Sequence, residues 1–180
     1  MSSWKTRLSA AAAAGLTAAT LGAGAIAAPA QAAPSCIPNP TARIAPIVTV
    51  NALRETCTSA QFAGLFRRAE AGTIPRGVYH GQVRPVGGPD AAASAAAAAV
   101  WSGKNFHRGW LTNRAFGGEI LPADVYYARS VIDGKKVIRV DYRRSGLAFA
   151  HDELRRLPNG VYLGYGFIGD MKGVAFWVWR

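Results

Sequence analysis

The chain has 180 residues, half of them hydrophobic, and carries 21 basic against 10 acidic residues for a formal net charge of +11. A chain of this length and hydrophobic content can bury a real core. The basic residues form scattered pairs and no long run, and no nucleic-acid-binding motif occurs, so nucleic acid is not expected as a partner. The charge instead suits a solvated surface, or weak association with anionic envelope polymers and lipids, with a dedicated anion site as the alternative.

The first 32 residues have the pattern of a cleaved secretory signal. Two basic residues precede a long run of alanine, leucine and glycine, and Ala30 and Ala32 have the small-x-small spacing that signal peptidase accepts. A membrane anchor would need about 20 strongly apolar residues, whereas this run is mostly alanine and glycine. Acylation of Cys36 is the other alternative, but residues 33–35 lack the expected bulky apolar residue. We therefore predict a secreted protein, cleaved near Ala32, with no transmembrane segment in its mature form.

Cleavage would leave a mature chain of 148 residues with a formal charge of +9, which is a usual size for one domain. Its two cysteines, Cys36 and Cys57, have no metal-ligand spacing, so in an oxidising compartment they are expected to form one disulfide. That disulfide would fasten a proline-containing leader to whatever follows it. We expect residues 33–74 to form this leader and a helix, and residues 75–180 to form the main domain.

One amphipathic helix is predicted directly after Cys57. Thr58 or Ser59 can cap its N-terminus, the apolar side chains that follow fall on one face, and Gly72 can end it. Farther along, an alanine-rich tract after Asp90 predicts a short second helix that carries almost no chemistry.

The second half of the chain has the strongest β pattern. Residues 124–143 predict a hairpin joined by Asp133-Gly134 in a type I′ turn. The segments 160–169 and 173–180 predict another strand pair. Successive hairpins with short turns favour an antiparallel barrel, and the absence of crossover helices disfavours a parallel α/β sheet.

Two further features of this half are the last strand and the segment around Asp152. Both faces of the last strand are apolar, so one of them is expected to meet a lid, the leader or a partner. Asp152 is expected to cap a short helical turn over residues 153–156, since acidic and basic residues stand at the matching ends of that segment.

The stretch VWSGKNFHRGW, residues 100–110, could indicate phosphate binding, catalysis or packing. A phosphate-binding loop would need a glycine and a hydroxyl residue where the chain has Ala98 and Asn105. Catalysis by Lys104 and His107 would need an orienting carboxylate, and the stretch holds none. Packing or pocket lining is therefore favoured.

We accordingly expect a ligand site inside the barrel, lined by aromatic side chains with one cation at the rim. The cation is Lys104, whose ammonium would meet the polar end of a ligand. The predicted ligand-binding residues are Tyr79, Trp101, Lys104 and Phe106.

Several short motifs resemble a known family. The segments RGVYHGQ, VWSGKNFH, LTNRAF, DYR and DELRRLPNGVYLG are similar to those of small bacterial and fungal domains of unknown function named for a G-x-W-x-G motif. The resemblance covers residues 75–180, with tyrosine in place of the motif tryptophan. It implies a lipocalin-like (calycin) β-barrel with a cavity for a small apolar ligand and no established enzymatic activity. The matching positions are Gly77, Tyr79, Gly81, Trp101, Gly103, Lys104, Phe106, Tyr162, Leu163 and Gly164.

Two functions fit these observations. The first is a secreted module that holds a small apolar or lipid-like ligand, and the second is a barrel enzyme of hydrolase or isomerase type that uses histidine and acidic residues at the barrel mouth. A weaker third reading is an interaction protein whose Trp177 and Trp179 cover a partner. No cofactor, metal site or G-x-S-x-G nucleophile is expected from the sequence. The candidates for the enzyme reading are His80, His107, His151, Asp141 and Glu153.

Overall fold

The computed structural model describes residues 36–37, 41, 43–84, 96 and 99–180. The predicted signal peptide and most of the predicted alanine helix lie outside these residues. Two helices, α1 (Pro46–Glu55) and α2 (Ser59–Arg68), precede eight strands, and a 3₁₀ helix over Tyr142–Ser145 separates the fifth strand from the sixth. The strands are β1 Gly77–Arg84, β2 Trp101–Phe106, β3 Trp110–Ala115, β4 Gly118–Arg129, β5 Lys136–Asp141, β6 Ala150–Arg156, β7 Tyr162–Ile168 and β8 Met171–Trp179.

The eight strands form a closed antiparallel barrel in chain order, which confirms the predicted fold class. Closure comes from the pairing of β1 with β8, where Gly81 lies opposite Val178. Because every strand then has two neighbours, the sheet has no unpaired edge that could recruit another chain.

Apolar side chains of β7 and β8 point alternately into the barrel and out of it, and both sets are buried. The inward set packs with the other strands around Tyr162, Phe176 and Val178. The outward set, which includes Tyr165 and Trp177, packs beneath the two helices. The apolar outer face predicted for the last strand is thus covered by the N-terminal segment, and none of the helices in the described part of the chain is long and apolar enough to span a membrane.

Helix α2 lies on this outer face for reasons visible in its sequence. The Thr58 hydroxyl accepts a hydrogen bond from the Gln61 amide, while the Gln61 side chain accepts one from the Thr58 amide. This reciprocal capping satisfies two donors at the helix start. The apolar face then buries Phe62 and Phe66, and both rings contact the Tyr165 ring edge-on, with centroids 5.4 and 4.9 Å apart.

The leader contains a helix that the sequence analysis missed. Helix α1 begins with Pro46 in its first turn, where a residue without an amide hydrogen costs no helical hydrogen bond. It buries only the narrow stripe of Thr49, Val50 and Leu53, which is too little to give a clear helical period. The disulfide between Cys36 and Cys57 is present as predicted, and the Arg84 guanidinium on β1 donates to the carbonyls of Leu53 and Cys57.

Two local predictions were wrong. The β4–β5 connection is a six-residue loop over residues 130–135, in which only Gly134 has a positive φ, at 70°. A type I′ turn needs positive φ at two positions. In the loop, the Asp133 carboxylate is an ion-pair partner of the buried Arg155. The helical turn predicted over residues 153–156 is instead part of strand β6, and Asp152 caps nothing because its side chain points into the barrel.

Removing the disulfide should destabilise the outer helical layer. For the Cys36→Ser/Cys57→Ser double variant, we expect a loss of about 3 kcal/mol in the free energy of unfolding, because a loop closed across 21 residues loses its constraint in the unfolded chain. Urea denaturation of the two proteins measures the difference. An equal midpoint and slope in both would show that the disulfide adds nothing to the stability of the fold.

The loop at Gly134 offers a second stability test. Gly134→Val should cost on the order of 1 to 2 kcal/mol, because a β-branched residue resists the left-handed conformation observed there. Gly134→Asn is the matched control, since asparagine tolerates this conformation and a side chain at this position would meet no neighbour. Equal thermal unfolding of the valine and glycine proteins would contradict the observed backbone.

Candidate ligand pocket

Glycines without side chains create the space for the aromatic lining of the barrel. A Cβ atom on Gly81 would overlap the Trp101 ring, and a Cβ on Gly164 would overlap the Phe176 ring on the neighbouring strand. Gly103 has φ of 137° and lies against the backbone of β1, at the point where β2 bulges against β3. Trp101 and Phe176 consequently turn inward and meet edge-on, with centroids 5.5 Å apart.

Lys104 lies inside the barrel and not at its rim, contrary to the expectation from the sequence. Only 1% of the residue is exposed. Its ammonium donates three hydrogen bonds, to Asn113 Oδ1 at 2.8 Å, Tyr142 OH at 2.8 Å and Asp152 Oδ2 at 2.7 Å. An ammonium group has three N–H donors, so all of them are used.

The acceptors around Lys104 also bind one another. The Tyr142 hydroxyl donates to Asp152 Oδ2 at 2.7 Å and accepts from Asn113 Nδ2 at 3.1 Å. The Trp101 indole donates to Asn113 Oδ1 at 3.0 Å. Burial, together with the adjacent Asp152 carboxylate, holds the pKa of Tyr142 well above its usual range. This phenol therefore remains protonated and acts as a donor, not as a base.

Aromatic faces complete the surroundings of the ammonium. Lys104 Nζ lies 5.2 Å from the centroid of the Phe176 ring and 5.6 Å from that of Trp101. Such contacts stabilise a desolvated cation. We call Lys104, Asn113, Tyr142 and Asp152 together the lysine cluster.

A pocket of about 340 Å³ lies above the lysine cluster, and we call it the lysine pocket. Its walls are mainly apolar, and at its rim Phe116 is 76% exposed. A second hollow of about 270 Å³ adjoins it and shares Leu121, Tyr142, Asp152 and Val174. A small number of polar groups beneath apolar walls is the usual composition of a ligand site. The other apolar lining residues are Val83, Val100, Trp101, Ala115, Ile120 and Phe176.

Asp152 is the member of the cluster best placed to meet a ligand. It lines both hollows, and its Oδ2 atom receives Lys104 and Tyr142. Its Oδ1 atom accepts no hydrogen bond from the described residues and faces Gly166, where a Cβ atom would lie 3.2 Å away. The Lys104 charge is already balanced by this carboxylate. The pocket therefore offers a hydrogen-bond acceptor on a floor of no net charge.

The structure separates the four residues predicted to bind ligand. Trp101 and Lys104 line the lysine pocket. Phe106 is packed in the barrel core with 2% exposure, and Tyr79 lines a different pocket at the opposite end of the barrel. The sequence analysis missed Asn113, Tyr142 and Asp152. In the sequence, Ile138, Val140 and Tyr142 alternate with charged residues along the predicted strand, and this was the one signal that could have indicated an inward phenol.

The residues considered for the enzyme reading do not gather beneath the lysine pocket. His80 packs on Trp179, His107 stacks on Trp110, and Asp141 receives the Tyr126 hydroxyl. His151 and Glu153 are closer to each other, at 3.8 Å, on the face of β6 opposite to that of Asp152, where the His151 ring stacks on Phe167. Of these residues, His151 alone lines the second hollow.

Their contacts indicate structural roles for this last pair. Arg139 hydrogen-bonds the His151 ring at 2.8 Å, and burial, with that cation beside it, lowers the pKa of His151. Fully buried Glu153 accepts from the Ser130 hydroxyl and the Val131 amide, which anchors the β4–β5 loop. In the part of the chain that the structure describes, no group of three or more histidine, cysteine or acidic side chains is placed to hold a metal ion.

Comparisons with known proteins bear on the fold alone. No family model and no curated protein matches the chain. A crystal structure of a protein from Thermomonospora curvata is similar, with a TM-score of 0.51 and 17% sequence identity, over 69% of this chain and 88% of that one. At this identity the likeness shows a shared fold and carries no function to this chain.

The lysine cluster can be tested by removing one charge or both. Lys104→Met should destabilise the protein by about 3 to 5 kcal/mol, because it leaves the Asp152 carboxylate buried without its partner. The Lys104→Met/Asp152→Leu double variant should recover most of that loss, since no charge then remains in the barrel. Denaturant unfolding of the three proteins gives the values. A double variant less stable than Lys104→Met would contradict a paired charge at this place.

Proposed function

We propose that the protein is a secreted binding module that holds a small apolar or amphipathic molecule in the lysine pocket. The observation that carries the proposal is the hollow of about 340 Å³ inside a closed barrel, with apolar walls above a polar floor. Its volume falls at the lower end of the range usual for small-molecule sites. The resemblance to the G-x-W-x-G domains, which implies a lipocalin-like cavity, agrees with it.

The floor of the pocket favours one kind of ligand head group. Because the three Lys104 donors are used within the cluster, an acidic head group would have to displace one of them. The polar atom of the floor that has no hydrogen-bond partner among the described residues is Asp152 Oδ1. A carboxylate oxygen accepts hydrogen bonds and repels anions. The favoured ligand is thus an apolar molecule that ends in a hydroxyl or amine.

Two observations support an extracellular location. The Cys36–Cys57 disulfide is of the kind that persists in oxidising compartments. The N-terminal sequence has the charge, length and small-residue spacing of a signal peptide. N-terminal sequencing of the protein from culture medium would identify the mature first residue.

Filling the pocket should abolish binding. Val174 lines both hollows, so Val174→Trp should eliminate binding of a dansyl-labelled medium-chain alcohol measured by fluorescence titration. Val78→Trp is the matched control, because it makes the same change at an exposed position on β1 and should leave the affinity unchanged. Wild-type protein that binds no such probe would contradict the proposal, as would equal binding by both variants.

The head group of the probe provides a second comparison. Chains of equal length that end in a hydroxyl or a carboxylate should differ in affinity by about tenfold in favour of the hydroxyl, the worth of one hydrogen bond to a charged group. Tighter binding of the carboxylate would show that Lys104, and not Asp152, meets the ligand. Native mass spectrometry of protein from its own host would show whether it retains such a molecule.

A further inference from the structure

A second pocket lies at the opposite end of the barrel from the lysine pocket. Its volume is about 330 Å³, and it shares no lining residue with the lysine pocket. Packed core side chains, including fully buried Leu154 and Ile138, occupy the barrel between the two. We call it the arginine pocket. Its lining is Pro46, Thr73, Ile74, Pro75, Arg76, Tyr79, Arg156, Asn159, Gly160, Tyr162 and Arg180.

Three arginines from distant parts of the chain meet there. Arg76 precedes β1, Arg156 ends β6 and Arg180 follows β8. The Arg156 guanidinium lies between the Tyr162 ring, 6.0 Å from its centroid, and Gly160, where a Cβ atom would be 3.8 Å from Nη2. Barrel closure thus brings three cations to one hollow, although like charges repel when no anion balances them.

No acidic side chain lines the arginine pocket, and none of the three guanidiniums forms an ion pair with a described residue. Glu70 is adjacent in the fold, where its carbonyl accepts the Arg156 amide, but its carboxylate forms no ion pair with a described residue. Other arginines of this protein do have carboxylate partners, as Arg155 has in Asp133. Many other described arginines also form no ion pair, so what distinguishes this pocket is that three such arginines meet in one hollow.

Two further features favour an anion. Helix α1 begins at Pro46 in the lining, with no side-chain cap and no acidic residue in its first turn, so its positive end is not compensated. Asn159 is 9% exposed, its Nδ2 donates to Thr49 Oγ1 at 2.7 Å, and its Oδ1 has no partner among the described residues. Since the Thr49 hydroxyl can donate as well as accept, rotation of this amide by 180° would let Oδ1 accept from Thr49 and put Nδ2 in the place of the unpartnered oxygen, where it could donate to an anion.

We propose that the arginine pocket binds the phosphate group of a small phosphate monoester. Guanidinium groups match phosphate oxygens with paired hydrogen bonds, and three of them suit a doubly charged group better than a single carboxylate. The pocket volume leaves room for a small organic group beside the phosphate, against the Tyr79 and Tyr162 rings. The site is separate from the lysine pocket, so the proposal does not depend on the function proposed above.

Calorimetric titration with glycerol phosphate, at constant ionic strength and pH 7.5, tests this assignment. Arg156→Gln and Arg180→Gln should each weaken binding about tenfold or more, the loss expected for a charge-assisted contact. Arg143→Gln is the matched control, because it removes the same charge from a side chain that is 73% exposed and lies beside the lysine pocket end of the barrel. Its affinity should stay within about twofold of the wild type, since only general charge changes.

Inorganic phosphate and vesicles that contain phosphatidic acid identify the source of the phosphate group. Soluble monoester binding that depends on Arg156 and Arg180 supports a free ligand, and vesicle binding with the same dependence supports a lipid head group. Equal weakening in all three variants would overturn the proposal, because it would reduce the effect to net charge. Absence of binding to every phosphate probe would overturn it as well. All three arginines are exposed, so thermal unfolding of the variants should match the wild type and confirm that they fold.

Discussion

A lysine ammonium inside a β-barrel is the constraint on which the lysine pocket depends. Lys104 comes from β2, and its three acceptors come from β3, from the 3₁₀ helix after β5 and from β6. A charge in this position is stable only when all these strands close around it at the observed distances. Replacing such a pair with apolar residues is often no loss in stability. This barrel nevertheless contains the Lys104–Asp152 pair, directly beneath the lysine pocket. The pair gives the pocket a polar floor at a place where apolar side chains could have filled the core.

The two pockets divide the chemistry of the molecule. One is neutral overall and apolar, and the other is cationic and polar, with packed core between them. Neither uses the histidines. Both arise from barrel closure, because each draws its polar residues from strands far apart in the chain. The outer helical layer reaches only the arginine pocket, through Pro46, and otherwise covers the apolar outer face of β7 and β8.

Patterns within one strand or helix were readable from the sequence, whereas contacts between distant segments were not. The hairpin pattern located β4 and β5, the apolar residues on both faces of β8 indicated that its outer face is covered, and the capping residues located α2. The Asp133-Gly134 dipeptide was misread because Asp133 is used by Arg155, more than twenty residues away. Asp152 was misread because nothing local shows that a lysine 48 residues earlier needs it. Helix α1 was missed because it buries only a narrow stripe of residues, and that stripe is recognisable only once the barrel surface on which it packs is known. The polar partners of Lys104 could therefore not be predicted, because they are contacts between distant segments and a single sequence does not show which distant segments meet.

The position of the helical layer also decides when the molecule can finish folding. Helices near residues 46–68 rest on strands near residues 162–179, so their burial waits until the last hairpin exists. Barrel closure between β1 and β8 has the same requirement. Contacts this distant along the chain make for slow, late-forming structure. Until β8 is in place, the aromatic side chains of α2 have no partner surface, so their burial is among the last steps of folding.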